Sequence, residues 1–330
     1  MKNTESAPKV TVLIPVYNAE RYLLETLQSV SAQTFQDIEI LVIDDGSKDN
    51  SPQMLADYAL TDPRLRVVRQ ANAGISAALN AGIAAARGEY IVRMDADDIM
   101  LPERIAAQVS FLQVRTELGF CACGMEMIDK NGRVFAQYTG RPGTVSELEA
   151  MMADQLPIVF THPTVTYRAS AVKAVGGYNK LYEPCEDMEL FGRLIAAGFP
   201  GIVLPAVLMR YRVHGASISG SKVAHQVRTQ DFVRASFYAL RQGLPVLERS
   251  AYEQKLERAP VLERLREEAH LRSDVLQRSA LYHKAEGRRF QSIASLIGAA
   301  AYRPWPAVRG VWRRLTGTDK AAQPSLASEV

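Results

Sequence analysis

The chain has 330 residues, 47% of them hydrophobic and 23% charged, an ordinary soluble composition that can bury the core of one large α/β domain or two smaller ones. Three cysteines, Cys121, Cys123 and Cys185, are too few and too irregularly spaced for a disulfide framework, which points to a reducing compartment. The formal net charge of +3 hides an asymmetry: residues 1–220 carry 20 basic and 25 acidic side chains, residues 221–330 carry 19 and 11, so the two parts face different partners.

Met1 to Lys9 is polar and has no apolar core of signal-peptide type, and no apolar run approaches the roughly 20 residues of a membrane-spanning helix. The expected location is cytoplasmic, or peripheral at the inner face of the cytoplasmic membrane. Cys121-Ala122-Cys123 has no second Cys/His pair at zinc spacing and reads as small buried apolar residues.

Lys9 to Val16 reads as a first strand, and Glu20 to Gln33 as a helix striped by Leu23, Leu24, Leu27 and Val30. The alternation repeats: a strand over Ile38–Ile43, a helix over Ser51–Leu60, a strand over Leu65–Val68, a helix over Ser76–Ala86 and a fourth strand over Tyr90–Met94. Strands alternating with helices imply a parallel sheet covered on both faces. After a helix at Glu103–Arg115 the pattern becomes mixed. Strands are expected at Phe120–Ile128 and Val134–Tyr138 around the Lys130-Asn131-Gly132 turn, a helix at Ser146–Asp154 and an extended stretch at Thr164–Tyr167. A helix at Glu186–Ala197 ends at Gly198, and Ile202–Leu204 and Val207–Val213 are the last strand candidates. A soft boundary falls near residue 220, beyond which the chain is mainly helical and basic.

Polar clusters fall at the carboxyl ends of the early strands: Tyr17-Asn18, Asp44-Asp45-Gly46-Ser47 and Asp95 to Asp98. That edge is where open α/β sheets bind ligands. Neither G-x-x-x-x-G-K-[ST] nor G-x-G-x-x-G is present, so phosphate-loop kinase chemistry and classical dinucleotide binding are not indicated.

Arg93-Met94-Asp95-Ala96-Asp97-Asp98 puts three carboxylates at a strand end, where alternation lets Asp95 and Asp97 address one ligand while Asp98 turns away. A hard divalent cation, Mn²⁺ or Mg²⁺, would offset their repulsion. An acidic turn capping the helix that starts near Pro102 fits the segment equally well. Asp44-Asp45-Gly46-Ser47-x-Asp49 offers carboxylates to a nucleobase N–H or a ribose hydroxyl, and is also an ordinary Asx/Gly turn with capping residues. Glu186-Asp187 can be helix-start electrostatics, and a lone His214 is usually structural.

Taken in order, these segments resemble a family-2 inverting glycosyltransferase of the GT-A fold. The resemblance is carried by Ile14-Pro15-Val16-Tyr17-Asn18, Asp44-Asp45-Gly46-Ser47-x-Asp49, Asn72-Ala73-Gly74-Ile75-Ser76 with Asn80-x-Gly82, and Gly88-Glu89-Tyr90 leading to Met94-Asp95-Ala96-Asp97-Asp98. Leu101-Pro102-x-Arg104, Gly176-Gly177-Tyr178, Glu186-Asp187-x-Glu189-Leu190 and Tyr211-Arg212-x-His214-x-x-Ser217 continue it, covering roughly residues 9 to 220.

The resemblance implies an α/β fold: a Rossmann-like open mixed sheet flanked by helices, with a helical C-terminal extension. Residues 1–220 would be the catalytic domain, with a nucleotide-sugar half at about 9–115 and an acceptor half at about 116–220. It implies metal-dependent, inverting transfer of a hexosyl or N-acetylhexosaminyl group from a nucleotide-sugar, most often a UDP-sugar, to a glycan or lipid-linked glycan in polysaccharide biosynthesis of the cell envelope. The donor would meet Pro15, Tyr17, Asn18, Glu20, Asp45, Ser47, Asn72, Gly74, Asn80, Arg93, Asp95, Ala96 and Asp97. In that scheme Asp45 contacts the base, Asp95 lies near ribose and metal, Asp97 is the main metal ligand, His214 is a further candidate ligand, and Asp187 is the catalytic base. His162 is expected to shape the acceptor pocket. One departure is Leu79, where many relatives have an Arg before the Asn; Arg93 or Lys48 is a candidate to supply that charge.

Two rivals remain at this level. A nucleotidyltransferase also uses carboxylates and metal, but needs a phosphate-cradling loop that Ile14-Pro15-Val16-Tyr17-Asn18 does not supply. A catalytically silent nucleotide-sugar-binding or scaffolding subunit predicts binding without turnover. Outside the resemblance, residues 221–330 scatter arginines among aromatic residues, and Tyr302-Arg303-Pro304-Trp305-Pro306 with Val308-Arg309-Gly310-Val311-Trp312-Arg313-Arg314-Leu315 suits an anionic membrane surface. No motif supports nucleic-acid binding.

Overall fold

The computed structural model of the chain describes residues 7–156, 158–214, 223–245 and 248–302. β1 (Val10–Val16) and β2 (Ile38–Asp44) are buried at every position, as strands covered on both faces must be. α1 (Leu23–Ser31) connects them, and the alternation continues through α2 (Ser51–Ala59), β3 (Leu65–Arg69), α3 (Ile75–Ala85) and β4 (Tyr90–Arg93). β1 pairs in parallel with β2 and β4, and β3 adds in parallel to β2. The helix expected from Glu20 starts at Leu23, because the preceding residues are tied to the next loop: Ala19 N–H donates to Ser51 Oγ and Glu20 N–H to Asp49 Oδ2.

Strand pleating sorts the core into two layers. Val10, Val12, Ile14 and Val16 join Leu23, Leu27 and Val30 of α1, while Leu13, Leu41 and Ile43 join Ala78, Leu79 and Ile83 of α3. α3 lies so close that a Cβ on Gly82 would stand 2.1 Å from Leu13 Cδ1. Close approach therefore outweighs the penalty of about 1 kcal/mol for glycine inside a helix.

Beyond β4 the sheet becomes mixed. In chain order come β5 (Ile99–Met100), α4 (Arg104–Val114), β6 (Phe120–Ile128), β7 (Val134–Tyr138), α5 (Val145–Ala153), β8 (Thr166–Arg168), α6 (Ala169–Ala174), α7 (Glu186–Ala196) and β9 (Gly201–Arg212). The strand order is β3-β2-β1-β4-β8-β6-β9-β5, with β7 on β6. β8 runs antiparallel to both β4 and β6, and β9 is parallel to β6 and antiparallel to β5. Ile202–Leu204 and Val207–Val213, expected as separate strands, merge into the single strand β9, which ends one residue earlier at Arg212. Its register against β6 shifts around Gly124, beside Pro205, which has no N–H to donate. The extended stretch expected from Thr164 begins at Thr166, after a 3₁₀ turn at His162–Thr164. β5 and α6 are additions to the expected elements, and β5 matters because it pins the exit of the acidic turn.

The C-terminal helices are α8 (Val223–Arg241), α9 (Arg249–Arg258), α10 (Val261–Ala285) and α11 (Arg289–Tyr302). The chain divides into two compact units, one formed by residues up to 213 together with 229–249, the other by 214–228 and the residues from 250 on. The expected boundary near 220 is therefore crossed by the later part of α8, which returns to the first unit. There Phe232 stacks on Tyr182 at 5.6 Å and Tyr238 Oη donates to the Leu156 carbonyl at 2.7 Å. In the second unit Arg278 Nη1 donates to Gln226 Oε1 at 2.7 Å. Among the described residues no helix is long and apolar enough to cross a membrane.

Candidate active site

β4 delivers the acidic turn, where carboxylate oxygens of Asp95, Asp97 and Asp98 lie within 4.8 Å of one another. Two arginines hold it from behind. Arg212, at the end of β9, donates its backbone N–H to Asp98 Oδ1 and its Nε to the Asp97 carbonyl, both at 2.8 Å. Its guanidinium also pairs with Glu25 and lies 4.3 Å over the Tyr22 ring. Arg104, fully buried in α4, donates Nη2 to the Arg93 carbonyl at 2.9 Å and Nε to Gln108 Oε1 at 3.0 Å, with Nη1 3.3 Å from the Met209 sulfur. Thr26 Oγ1 donates to the Asp98 carbonyl at 2.8 Å.

Burial raises the Asp98 carboxyl well above the usual carboxylate range, with the charges of Asp97 and Asp95 adding to it. Its Oδ2 has no hydrogen-bond partner among the described residues. Asp95 is half-buried, and its carboxyl is also raised by burial, against the pull of Arg93. Arg93 is the nearby cation: its Nη1 lies 2.6 Å from Asp95 Oδ2, close enough for an ion pair though out of hydrogen-bond alignment, and its Nε finds no acceptor among the described residues. Three acids this close need positive charge to ionise together, and Arg93 alone does not match them. The all-oxygen donor set with an orphaned, buried Asp98 Oδ2 suits a hard divalent cation such as Mg²⁺ or Mn²⁺.

α7 brings a second acid pair. Glu186 and Asp187 occupy its first turn, where the helix dipole favours negative charge. Burial raises the Asp187 carboxyl to about 6; the Met188 N–H, donating to its Oδ1 at 2.8 Å, and the Arg93 charge oppose the rise, and Asp95 adds to it. Glu186 is raised to about 8, first by burial and then by Asp187, and its Oε2 has no partner among the described residues. Asp187, Arg93 and Asp95 therefore share one electrostatic neighbourhood between the end of β4 and the start of α7. Alongside them, His162 Nε2 is 2.7 Å from Tyr178 Oη, which is 3.2 Å from Tyr167 Oη. Burial, helped by Arg93, lowers the His162 pKa well below its ordinary value and keeps the ring neutral.

The donor edge expected from the sequence is drawn together by hydrogen bonds. Ser47 Oγ accepts from Asn18 N–H at 3.0 Å, Asn18 Oδ1 from Lys48 N–H at 2.8 Å, and Glu20 Oε2 from Asn50 N–H at 2.9 Å. Pro15 is buried within β1, Tyr17 and Asn72 are exposed, and Ala96 is half-buried between the two aspartates. Asp45 is buried: Oδ1 accepts from Gln70 Nε2 and Ala73 N–H, and Oδ2 accepts from Gly74 N–H. It thus shapes the loop before α3. Asn80 pairs its amide with the Tyr178 backbone in both directions, at 2.9 and 2.7 Å. Leu79 is buried in the core, and Lys48 is exposed, so Arg93 is the cation set against the carboxylates. His214 is half-buried and opens the second unit, while Ser217, Trp305 and Trp312 lie outside the described residues.

Three contributors escape residue-by-residue reading. Arg104 and Arg212 stand inside segments that carry the resemblance, but nothing local shows that they brace the turn. Glu183 accepts from Ser76 N–H at 3.0 Å while Lys180 Nζ donates to the Ala73 carbonyl at 2.8 Å, clasping the first turn of α3 and the loop before it to the segment before Asp187. No pattern in the sequence marks that clasp.

This arrangement agrees with what the chain is similar to. The family model described as glycosyl transferase family 2 matches residues 11–176, which includes β1 to β4 and the acidic turn. The putative glycosyltransferase EpsE of Bacillus subtilis is 32% identical over 214 residues, covering 63% of this chain and 74% of that one. Two further relatives are covered over only 36% and 26% of their lengths. Among solved structures, S. aureus TarS 1-349 in complex with UDP-GlcNAc aligns at a TM-score of 0.56 and 17% identity over 90% of this chain and 92% of that one. A mannosyltransferase from Pyrobaculum calidifontis in complex with GDP-Man and Mn²⁺ aligns at 0.53 and 19% identity over 94% and 81%. The fold is that of the GT-A glycosyltransferases, and with the family model spanning half the chain and EpsE matched over most of its length, the chain belongs to glycosyl transferase family 2.

Proposed function

We propose that the protein transfers a sugar from a nucleotide-sugar, of UDP type, to a hydroxyl of a glycan or lipid-linked glycan in a single displacement that inverts the anomeric carbon. The carrying observation is Asp187 on the first turn of α7, in the same electrostatic neighbourhood as Arg93 and Asp95 at the acidic turn and raised by burial to about 6. A carboxylate with that pKa is ionised at neutral pH yet basic enough to accept a proton. The neighbours solved with UDP-GlcNAc and with GDP-Man and Mn²⁺ support a nucleotide-sugar donor.

The loops after β1 and β2 and the loop before α3 would bind the nucleoside, with Asp45 holding their shape. Asp97 and Asp95 would hold a divalent cation, which when bound supplies positive charge beside the diphosphate. Arg93 adds fixed charge in a site shielded from water, where it acts more strongly than in bulk solvent. Asp187 accepts the proton of the acceptor hydroxyl as that oxygen bonds to the anomeric carbon. The bond from that carbon to the diphosphate oxygen breaks, and the nucleoside diphosphate leaves with the electron pair.

The test pairs transfer with binding. Asp187→Asn is expected to lower kcat by roughly 10²–10⁴-fold, the usual worth of a general base, while nucleotide-sugars still raise the melting temperature. Unchanged turnover would remove Asp187 from its role. If no nucleotide-sugar or nucleoside diphosphate shifts melting with or without Mn²⁺, the reading itself fails.

A further inference from the structure

Tyr167 Oη, Tyr178 Oη and His162 Nε2 form a short chain of hydrogen bonds, at 3.2 and 2.7 Å, and all three side chains are buried. Burial raises both tyrosine hydroxyls above their ordinary pKa, with Asp187 adding to each, so both keep their protons. A buried hydroxyl needs an acceptor for its proton. Among the described residues Tyr167 Oη has only Tyr178 Oη to donate to, which leaves Tyr178 Oη to donate to His162 Nε2. The reverse order would strand the Tyr167 proton. His162 Nε2 is therefore the bare nitrogen of a neutral ring, and the ring proton sits on Nδ1.

Nδ1–H has no partner among the described residues, yet it is not one of their sealed, unpartnered polar atoms, so the donor is open to a ligand. The ring stands with the base. It lies edge-on to Phe191 at 6.3 Å, and Phe191 is four residues along α7 from Asp187, on the same face of the helix. Tyr178 is fixed from behind: Asn80 of α3 pairs with its backbone in both directions, and Arg193 donates to the Val175 and Gly177 carbonyls of the turn that delivers it. That turn needs Gly176 and Gly177 at φ +81° and +71°, and a Cβ on Gly177 would stand 2.4 Å from Asn80 Oδ1. A donor held this firmly suits one oxygen in one place. Because the ring is uncharged and Arg93 already supplies positive charge, that oxygen is a sugar hydroxyl or an amide carbonyl rather than a phosphate.

We propose that His162 is a substrate-contacting residue whose Nδ1–H donates to an uncharged sugar oxygen beside Asp187, with Tyr178 and Tyr167 as the positioning residues that set its tautomer. The inference rests on the proposed sugar transfer, but the tautomer is read without turnover. In NMR spectra of the whole chain with isotope-labelled histidine rings, the signal that His162→Phe removes is expected to come from a neutral ring protonated at Nδ1 at neutral pH. A proton on Nε2, or a charged ring, overturns the proposal. Tyr178→Phe is expected to shift the proton toward Nε2 and to weaken the same substrate contact; it stands in for His162→Phe if that variant does not fold. In kinetics His162→Phe is expected to lose about tenfold, the worth of one neutral hydrogen bond. His162→Asn, whose amide N–H falls near the Nδ1 position, is expected to recover most of that loss. Weaker binding in a nucleotide-sugar titration assigns the oxygen to the donor sugar, whereas a raised acceptor KM at unchanged donor affinity assigns it to the acceptor. A folded His162→Phe that matches the wild type in both overturns the proposal, as does His162→Asn as impaired as His162→Phe. A wild type that binds no nucleotide-sugar fails the proposed function and this inference with it, while a transferring wild type matched by His162→Phe fails this inference alone.

Discussion

Arg93 Nη1 stands 2.6 Å from Asp95 Oδ2 at the end of β4, and the arginine is 4% exposed. That single cation lowers the cost of charging both Asp95 and Asp187. Arg93→Gln leaves the acids without it, so the acid limb of the transfer rate, set by an Asp187 pKa of about 6, should move to higher pH. The sign follows from the base: activity needs Asp187 ionised, it falls as pH drops through its pKa, and loss of a positive neighbour raises that pKa. A pH–rate profile whose acid limb stays in place would show that Arg93 does not govern Asp187. Breaking the buried pair should also destabilise the fold by about 3 kcal/mol in urea denaturation.

Glu186 gives a prediction of opposite sign. Its folded pKa of about 8 lies above the ordinary carboxylate value of 4.5, so between these values the folded state holds a proton that the unfolded chain has released. Stability from this group is present below the unfolded pKa and is lost as pH rises from 4.5 towards 8. Glu186→Gln removes the titration, and its advantage over the wild type should grow across that window to on the order of 1 kcal/mol or more. Melting temperatures measured across the range check it; a constant offset between the two proteins would count against a buried, neutral Glu186.

The clasp between Glu183 and Ser76 N–H joins the helix that follows the donor loop to the loop that precedes Asp187. Glu183→Ala strips the first turn of α3 of a side-chain acceptor and should cost about 1 kcal/mol of stability. Because Glu183 lies in the segment that leads into α7 and Asp187, kcat is expected to fall more than nucleotide-sugar affinity. Glu183→Gln keeps an acceptor oxygen and should recover most of both. If the alanine and glutamine variants behave alike, the contact is not a hydrogen-bonded clasp.

Asp97→Asn and Asp98→Asn separate the metal reading from the turn-holding reading of the acidic cluster. Asp98 is buried and accepts from Arg212 N–H, so its asparagine should retain that bond and lose mainly charge. Asp97→Asn should abolish the Mn²⁺-dependent part of the nucleotide-sugar melting shift while leaving metal-free stability within about 1 kcal/mol of the wild type. Thermal shift with donor, with and without Mn²⁺ and with chelator, reads the two apart.

By itself the sequence determined the β–α alternation from Val10 to Arg93, the edge on which the polar clusters gather and the identity of Asp95, Asp97 and Asp187 as candidates. Those are set by local periodicity, by strand alternation and by ordered motifs, all short-range properties of the chain. Tertiary structure alone decided that Ile202–Leu204 and Val207–Arg212 are one strand, that α8 is divided between two units, and that Asn80 pairs with Tyr178. It also revealed the bracing by Arg104 and Arg212, the clasp of Glu183 on Ser76, and the hydroxyl network of His162, Tyr178 and Tyr167. In each case a buried polar group must find a partner wherever the fold supplies one, and the partner's position in the chain leaves no periodic trace.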